Sequence, residues 1–149
     1  MPDTPVSNDE VLYRRVPNRP ENLKSENGIC TVGASAFNSP DRRPSVNRAC
    51  HWPDPKKTQT EQSDGVLSLL AVEIREIGSV ALGAPAVGSF KVLVEPRPIY
   101  ANNPEGEPEN LSHAQIETEP PMESQSRFRK LKEALAQLAN RRPWLIEPK

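Results

Sequence analysis

The chain has 149 residues, a formal net charge of −1 and 17 prolines. Proline therefore makes up about 11% of the sequence, against a usual share of about 5%. This near-neutral composition excludes an acidic solvating tail and a strongly basic nucleic-acid binder. No apolar run approaches the roughly 18 residues that a membrane helix needs. The first ten residues, with three acids and two prolines, lack the pattern of a signal peptide. We therefore expect a cytoplasmic protein without a membrane segment.

The prolines divide the chain into segments, because proline removes a backbone donor and restricts the residue before it. The long proline-free windows, in which regular structure is possible, are residues 6–16, 21–39, 56–84 and 122–142. We predict one small domain over residues 9–140, a flexible N-terminus over 1–8 and a C-terminal tail over 141–149. The predicted fold class is α+β, a small antiparallel sheet with long proline-rich loops and a C-terminal amphipathic helix. The strands are predicted near Leu12, Phe37, Val72, Val92 and Ile116.

The apolar centre of the chain is residues 66–77, whose pattern fits either a helix or a strand. Leu67, Leu70, Ala71 and Ile74 fit a helical face, whereas residues 72–75 alternate as in a strand. We interpret this segment as a strand that pairs with a second strand at residues 89–95, which is rich in β-branched residues. The uncharged run 78–88 between them is then a long connecting loop.

The final element is the clearest, a helix over residues 124–140. An apolar stripe recurs at helical spacing, and Ser124 or Ser126 is a plausible N-cap. Asn140 lies near the end of the helix, and Pro143 stops it. The stripe consists of Phe128, Leu131, Leu135, Leu138 and Ala139.

Charge is divided along the C-terminal half of the chain. Residues 98–125 carry six acids and no base, and residues 126–149 carry seven bases and two acids. One interpretation is a solvated acidic connection over residues 98–123 beside an ordinary basic helix face, the two attracting each other within the molecule. The other is a contact surface for a protein partner, whereas the neighbouring acids disfavour nucleic acid. The candidate partner-binding residues are Arg127, Lys130, Arg141, Arg142 and Trp144.

No metal site and no cofactor are predicted from the motifs. Cys30, Cys50, His51 and His113 have neither C-x-x-C nor H-x-x-x-H spacing. The glycines at 83 and 88 have the first spacing of a phosphate loop, but the lysine and the hydroxyl residue that should follow are missing.

Two segments of the chain resemble one family of enzymes. Residues 11–16, Val-Leu-Tyr-Arg-Arg-Val, and residues 34–37, Ala-Ser-Ala-Phe, resemble the start of ADP-ribosyltransferase-like and NAD-degrading toxin folds. In those folds an arginine on the first strand and a serine on the next hold NAD, and a catalytic glutamate follows. The resemblance implies Arg14 or Arg15, Ser35 and Glu73 in these roles.

A second resemblance covers most of residues 11–139. In chain order, L-Y-R-R-V, S-A-F, S-V, R-E-I-G and H-A-Q-I are similar to a pattern in a group of small bacterial proteins, several of them cyanobacterial. No activity is established for that group. The resemblance implies a bacterial source and a single fold unit, and for His113 it implies packing at a strand end rather than catalysis.

Two functional hypotheses follow. The leading one is a non-enzymatic accessory or adaptor protein that binds a larger bacterial protein, for example as one subunit of a multi-gene system. It follows from the lack of a convergent catalytic set, the small core and the separated charge. The alternative is an NAD-consuming or ADP-ribosylating toxin-like enzyme that uses Arg14, Ser35 and Glu73.

Overall fold

A computed structural model describes residues 1–84, 86 and 88–149 of the chain. The predicted α+β class is confirmed: the fold consists of a five-stranded antiparallel sheet, a two-stranded hairpin and a long C-terminal helix. The strands are β1 (Val11–Val16), β2 (Leu23–Glu26), β3 (Ile29–Val32), β4 (Ser45–Arg48), β5 (Gly65–Leu70), β6 (Lys91–Pro96) and β7 (His113–Glu119). The α-helices are α1 (Ala71–Arg75) and α2 (Gln125–Asn140), and two short 3₁₀ helices span Ala34–Phe37 and Pro55–Thr58. The order in the large sheet is β5-β1-β4-β7-β6.

The apolar centre of the chain forms a strand and then a helix. Residues 65–70 are β5, and the chain turns into α1 at Ala71, so the strand predicted near Val72 is wrong. The strand pattern and the helix pattern of this segment are therefore both real, one after the other. The helical face formed by Ala71 and Ile74 follows directly after the buried strand β5. The predicted pairing is also wrong: β5 pairs with β1, and β6 pairs with β7 at the other edge of the sheet. Residues 85 and 87 of the predicted connecting loop lie outside the described part of the chain.

The segment around Phe37 forms a short 3₁₀ helix, Ala34–Phe37, rather than the predicted strand. The side chain of Phe37 is fully buried in the core. On the side of β1 away from β5, the neighbouring strand is β4, which was not predicted from the sequence. The strands predicted near Leu12, Val92 and Ile116 are confirmed.

The hairpin of β2 and β3 was also not predicted. Its turn is Asn27-Gly28, and both residues have positive φ, 52° and 78°. Asn-Gly favours the two-residue type I′ turn, which requires positive φ at both central positions. The hairpin is tied to α2 through Asn140, whose side-chain amide exchanges two hydrogen bonds with the backbone of Val32, at 2.9 and 3.0 Å.

Helix α2 confirms the C-terminal prediction and closes the core. Ser124 caps it by accepting a hydrogen bond from the Arg127 N–H at 3.2 Å. The predicted apolar stripe is buried, with Leu131 and Leu135 inaccessible to solvent. Among the described residues, no helix has both the length and the apolar character needed to cross a membrane.

Both terminal segments contact the large sheet. Val6, in the segment predicted as a flexible N-terminus, belongs to the hydrophobic core. In the C-terminal tail, Ile146 forms a bridge with Val66 of β5, and Trp144 packs on Gly65. The packed unit therefore extends past the predicted boundaries at residues 9 and 140.

Candidate functional site

A broad cleft of about 1270 Å³ lies over the face of the sheet opposite the buried stripe of α2. Its floor includes Tyr13 of β1, Asn47 of β4 and Gln115 of β7. Successive side chains of a strand point to opposite faces, so these polar residues alternate with the buried Val46, Ala114 and Ile116. One side of the sheet is therefore core, and over β1, β4 and β7 the other side is a polar surface.

Two connections between strands form the walls of the cleft. The first follows β4 and contributes Trp52, Lys57 and residues 58–60. The ammonium of Lys57 lies 5.8 Å from the centroid of the half-buried Trp52 ring. The second wall is the proline-rich connection between β6 and β7, which carries the exposed residues Glu105, Glu107 and Glu109.

Asn47 joins the floor to both walls. Its side-chain N–H donates to Thr58 Oγ1 in the first wall at 3.0 Å. Its side-chain oxygen accepts from Asn110 Nδ2 in the second wall at 2.9 Å. Asn110 is itself held by Ser112, whose backbone N–H and hydroxyl donate to Asn110 Oδ1. Because both hydrogen-bonding groups of the Asn47 amide are used, its orientation is fixed.

His113 is fixed at both ring nitrogens. Its Nδ1 lies 2.8 Å from the carbonyl oxygen of Arg97, and its Nε2 lies 3.0 Å from Ser45 Oγ. Arg97 is in turn held by a two-point ion pair with Glu117, with N–O distances of 3.0 and 3.1 Å. Three neighbouring segments therefore position this imidazole at the floor of the cleft.

An acidic residue beneath the first wall is also ordered. Asp64 Oδ2 accepts hydrogen bonds from the N–H groups of Thr60 and Glu61 and lies 3.3 Å from Arg15 Nη1. Burial alone raises the pKa of Asp64, but the two backbone donors and the guanidinium outweigh it and lower the pKa. The charged carboxylate of Asp64 therefore links the end of the first wall to Arg15 of β1.

The residues implied by the NAD resemblance are only partly brought together. Arg14 and Ser35 line one end of the cleft. Arg14, however, donates to the carbonyl oxygens of Ala36, Asn38 and Ser45, and burial followed by the charge of Arg15 lowers its pKa to about 10. The hydroxyl of Ser35 donates to the Glu21 carbonyl.

Glu73 lies apart from these two residues. Glu73 is on α1, and it is not among the described residues that line the cleft. Arg14 pairs with Leu67, and β5 continues for three more residues, about 10 Å, before α1 begins. The described geometry therefore does not assemble the three residues that the resemblance implies.

The predicted partner-binding residues lie near the two ends of α2 and not in the cleft. Arg127 stacks over the Phe90 ring at 5.4 Å, and Lys130 is exposed. Arg141, fourteen residues after Arg127 and about 21 Å from it along a helix, is also exposed. Arg142 Nε donates to Ser68 Oγ and Trp144 Nε1 to the Cys30 carbonyl, at 2.9 and 3.0 Å.

These contacts give Arg142 and Trp144 structural roles in attaching the tail. Within residues 1–84, 86 and 88–149, no ion pair joins the acidic connection to the basic helix. The expected intramolecular attraction between the two charged blocks is therefore not formed as a direct ion pair among these residues.

Comparison of the chain with models of protein families, with curated proteins and with solved structures finds no significant match. Ser45, Asn47 and Gln115 were not among the site residues predicted from the sequence, and the predicted role of His113 was packing. The only signal for this surface was the alternation of polar and apolar residues over 113–119, which indicates a strand with one polar face.

Proposed function

We propose that the protein is a cytoplasmic accessory or adaptor protein that binds a segment of a larger bacterial protein in the cleft. The observation that carries this proposal is the double attachment of the walls to the floor through Asn47. A binding surface that is already ordered loses little conformational freedom when a partner docks.

The size and shape of the cleft favour a chain segment over a small molecule. Small-molecule pockets usually enclose about 300–1,000 Å³ and bury most of the ligand. This cleft is larger and is bounded by two loops rather than enclosed. Tyr13 and Trp52 supply the aromatic surface that commonly anchors protein interfaces.

The charge of the second wall favours a partner segment with basic residues. Glu105, Glu107 and Glu109 alternate with glycine and proline, and all three are exposed. In the described part of the chain, none of them is in an ion pair. Charge complementarity of this kind contributes mainly to the association rate and to the choice of partner.

Site-specific photo-crosslinking in the bacterial host tests the proposal. A photoreactive amino acid at Glu107 reports on the cleft, and the same amino acid at Gln137 reports on the exposed face of α2. We expect one defined protein adduct from position 107, weakened when Trp52 is replaced by Ala, and no such adduct from position 137. An adduct from 137 alone would place the contact on the basic helix, and no adduct at either position would contradict the proposal.

A further inference from the structure

The floor of the cleft contains a serine and a histidine in the arrangement of a nucleophile and its general base. We propose that Ser45 is a nucleophile activated by His113 and that the cleft transfers acyl groups from carboxylic esters to Ser45 and then to water. This activity goes beyond binding, and it departs from the sequence-based expectation of a non-enzymatic protein.

The tautomer of His113 follows from its partners. The carbonyl oxygen of Arg97 can only accept a hydrogen bond, so the neutral imidazole carries its proton on Nδ1. Nε2 then presents a lone pair, and the hydroxyl of Ser45 is the donor across the 3.0 Å contact. This is the arrangement in which an imidazole withdraws a proton from a serine.

A third group orients the base, as such sites require. The backbone carbonyl of Arg97 takes the position that a carboxylate occupies in a catalytic triad. The same two residues are joined through the main chain, because the Arg97 N–H donates to the His113 carbonyl at 2.9 Å. The imidazole is therefore held by the continuation of the β6–β7 ladder, which restricts its rotation.

Ser45 is accessible and rigidly held. It is the exposed first residue of β4, and its carbonyl accepts from Arg14 Nη1 at 2.8 Å. Gln115 lies directly across from it on β7, so their Cβ atoms are about 5 Å apart on one face. Among the described residues no hydrogen bond occupies the Gln115 side-chain amide, and we assign its N–H to the oxygen that becomes negative when Ser45 attacks.

The chemical step balances without a metal or a redox partner. Ser45 Oγ forms a bond to the ester carbonyl carbon while its proton moves to His113 Nε2. The bond to the leaving oxygen then breaks, and His113 returns the proton to release an alcohol. Water attacks the acyl-serine in the same way, giving a carboxylic acid and the free hydroxyl of Ser45.

The test uses the full chain and two probes, p-nitrophenyl acetate and a fluorophosphonate. We expect a rapid release of about one nitrophenolate per protein, and peptide mapping that places the acetyl or phosphonyl group on Ser45. Ser45→Ala abolishes the burst, and His113→Gln slows it by about 100-fold or more. Ser126→Ala, at an exposed position of α2 that does not line the cleft, leaves the burst unchanged.

Mapping of the adduct on the unmodified protein does not depend on whether the variants fold. An adduct on another residue, a burst that persists in Ser45→Ala, or no labelling by either probe overturns the proposal. Thermal unfolding of each variant shows whether a lost burst reflects lost structure. Crosslinking from position 107 is independent of the Ser45 hydroxyl, so failure of the chemistry and failure of partner binding are distinguishable.

Discussion

The two faces of the five-stranded sheet are covered by different kinds of structure. On one face, Leu12, Val46 and Ile116 are buried in the core that α2 closes, and an ion pair between Arg48 and Glu10 lies at its margin. On the other face, the polar floor is flanked by two connections between strands that hydrogen bonds hold in place. Hydrophobic burial is the larger contribution to stability, whereas a hydrogen bond contributes about 1 kcal/mol net.

This difference separates folding from function. A polar face that contributes little to the core leaves its residues available for contacts and chemistry, while the scaffold beneath it remains rigid. Variants that alter one face at a time measure how complete this separation is.

The largest effect is expected from the core face, for Leu135→Ala in α2. Leu135 is inaccessible to solvent, and truncation of such a residue costs about 2–5 kcal/mol through lost burial and the cavity that remains. Chemical denaturation measures this change. Gln137→Ala, an exposed position in the same helix, is the control and changes stability by about 0.5 kcal/mol or less. Similar losses for the two variants would mean that α2 does not close the core as described.

The ion pair at the margin of the core gives a pH-dependent effect of intermediate size. Glu10 accepts from Arg48 Nε and Nη2, both at 2.7 Å, while Arg48 also donates to the Pro2 and Thr4 carbonyls. Burial raises the pKa of Glu10, but the hydrogen bonds from Arg48 and Ser7 outweigh it and lower the pKa from 4.5 to about 2. This shift corresponds to about 3 kcal/mol of stability for the charged form.

The sign follows from the lowered pKa. The contribution of Glu10 is complete above its ordinary pKa of 4.5 and is lost as the pH falls towards about 2. We therefore expect Glu10→Gln to lower the free energy of unfolding by up to about 3 kcal/mol at pH 7 and by much less near pH 2. Urea denaturation across this range measures the difference between the two proteins. A difference that stays constant with pH would contradict the role assigned to the ion pair.

The elements whose patterns are uninterrupted can be predicted from the amino-acid sequence. Helix α2 and strands β6 and β7 each have one periodicity along their whole length. Residues 66–77 were misread because a strand and a helix follow each other with no proline or glycine between them. The Asn27-Gly28 turn, in contrast, is a hairpin signal that the amino-acid sequence itself contains.

The candidate site was harder to predict because it is assembled by strand register. Ser45 and His113 are 68 residues apart in the chain and meet only because β4 pairs with β7. The spacing of residues within a short segment of sequence cannot predict a contact between two strands this far apart in the chain. The NAD resemblance selected Arg14 and Ser35, which do line the cleft, but their polar groups are bonded to backbone carbonyls, and Glu73 lies elsewhere.

The smallest effect on stability, and the most informative for the cleft, is expected from Asn47→Ala. This change removes the hydrogen bonds to Thr58 and Asn110, at a cost of about 1–2 kcal/mol. Because those bonds attach the two walls, backbone hydrogen exchange should accelerate over residues 52–60 and 98–112, with α2 unchanged. Gln115→Ala, on the same floor but outside this network, is the control for exchange. Acceleration that spreads into α2 would show that the two faces are coupled, whereas unchanged walls would show that other contacts hold them.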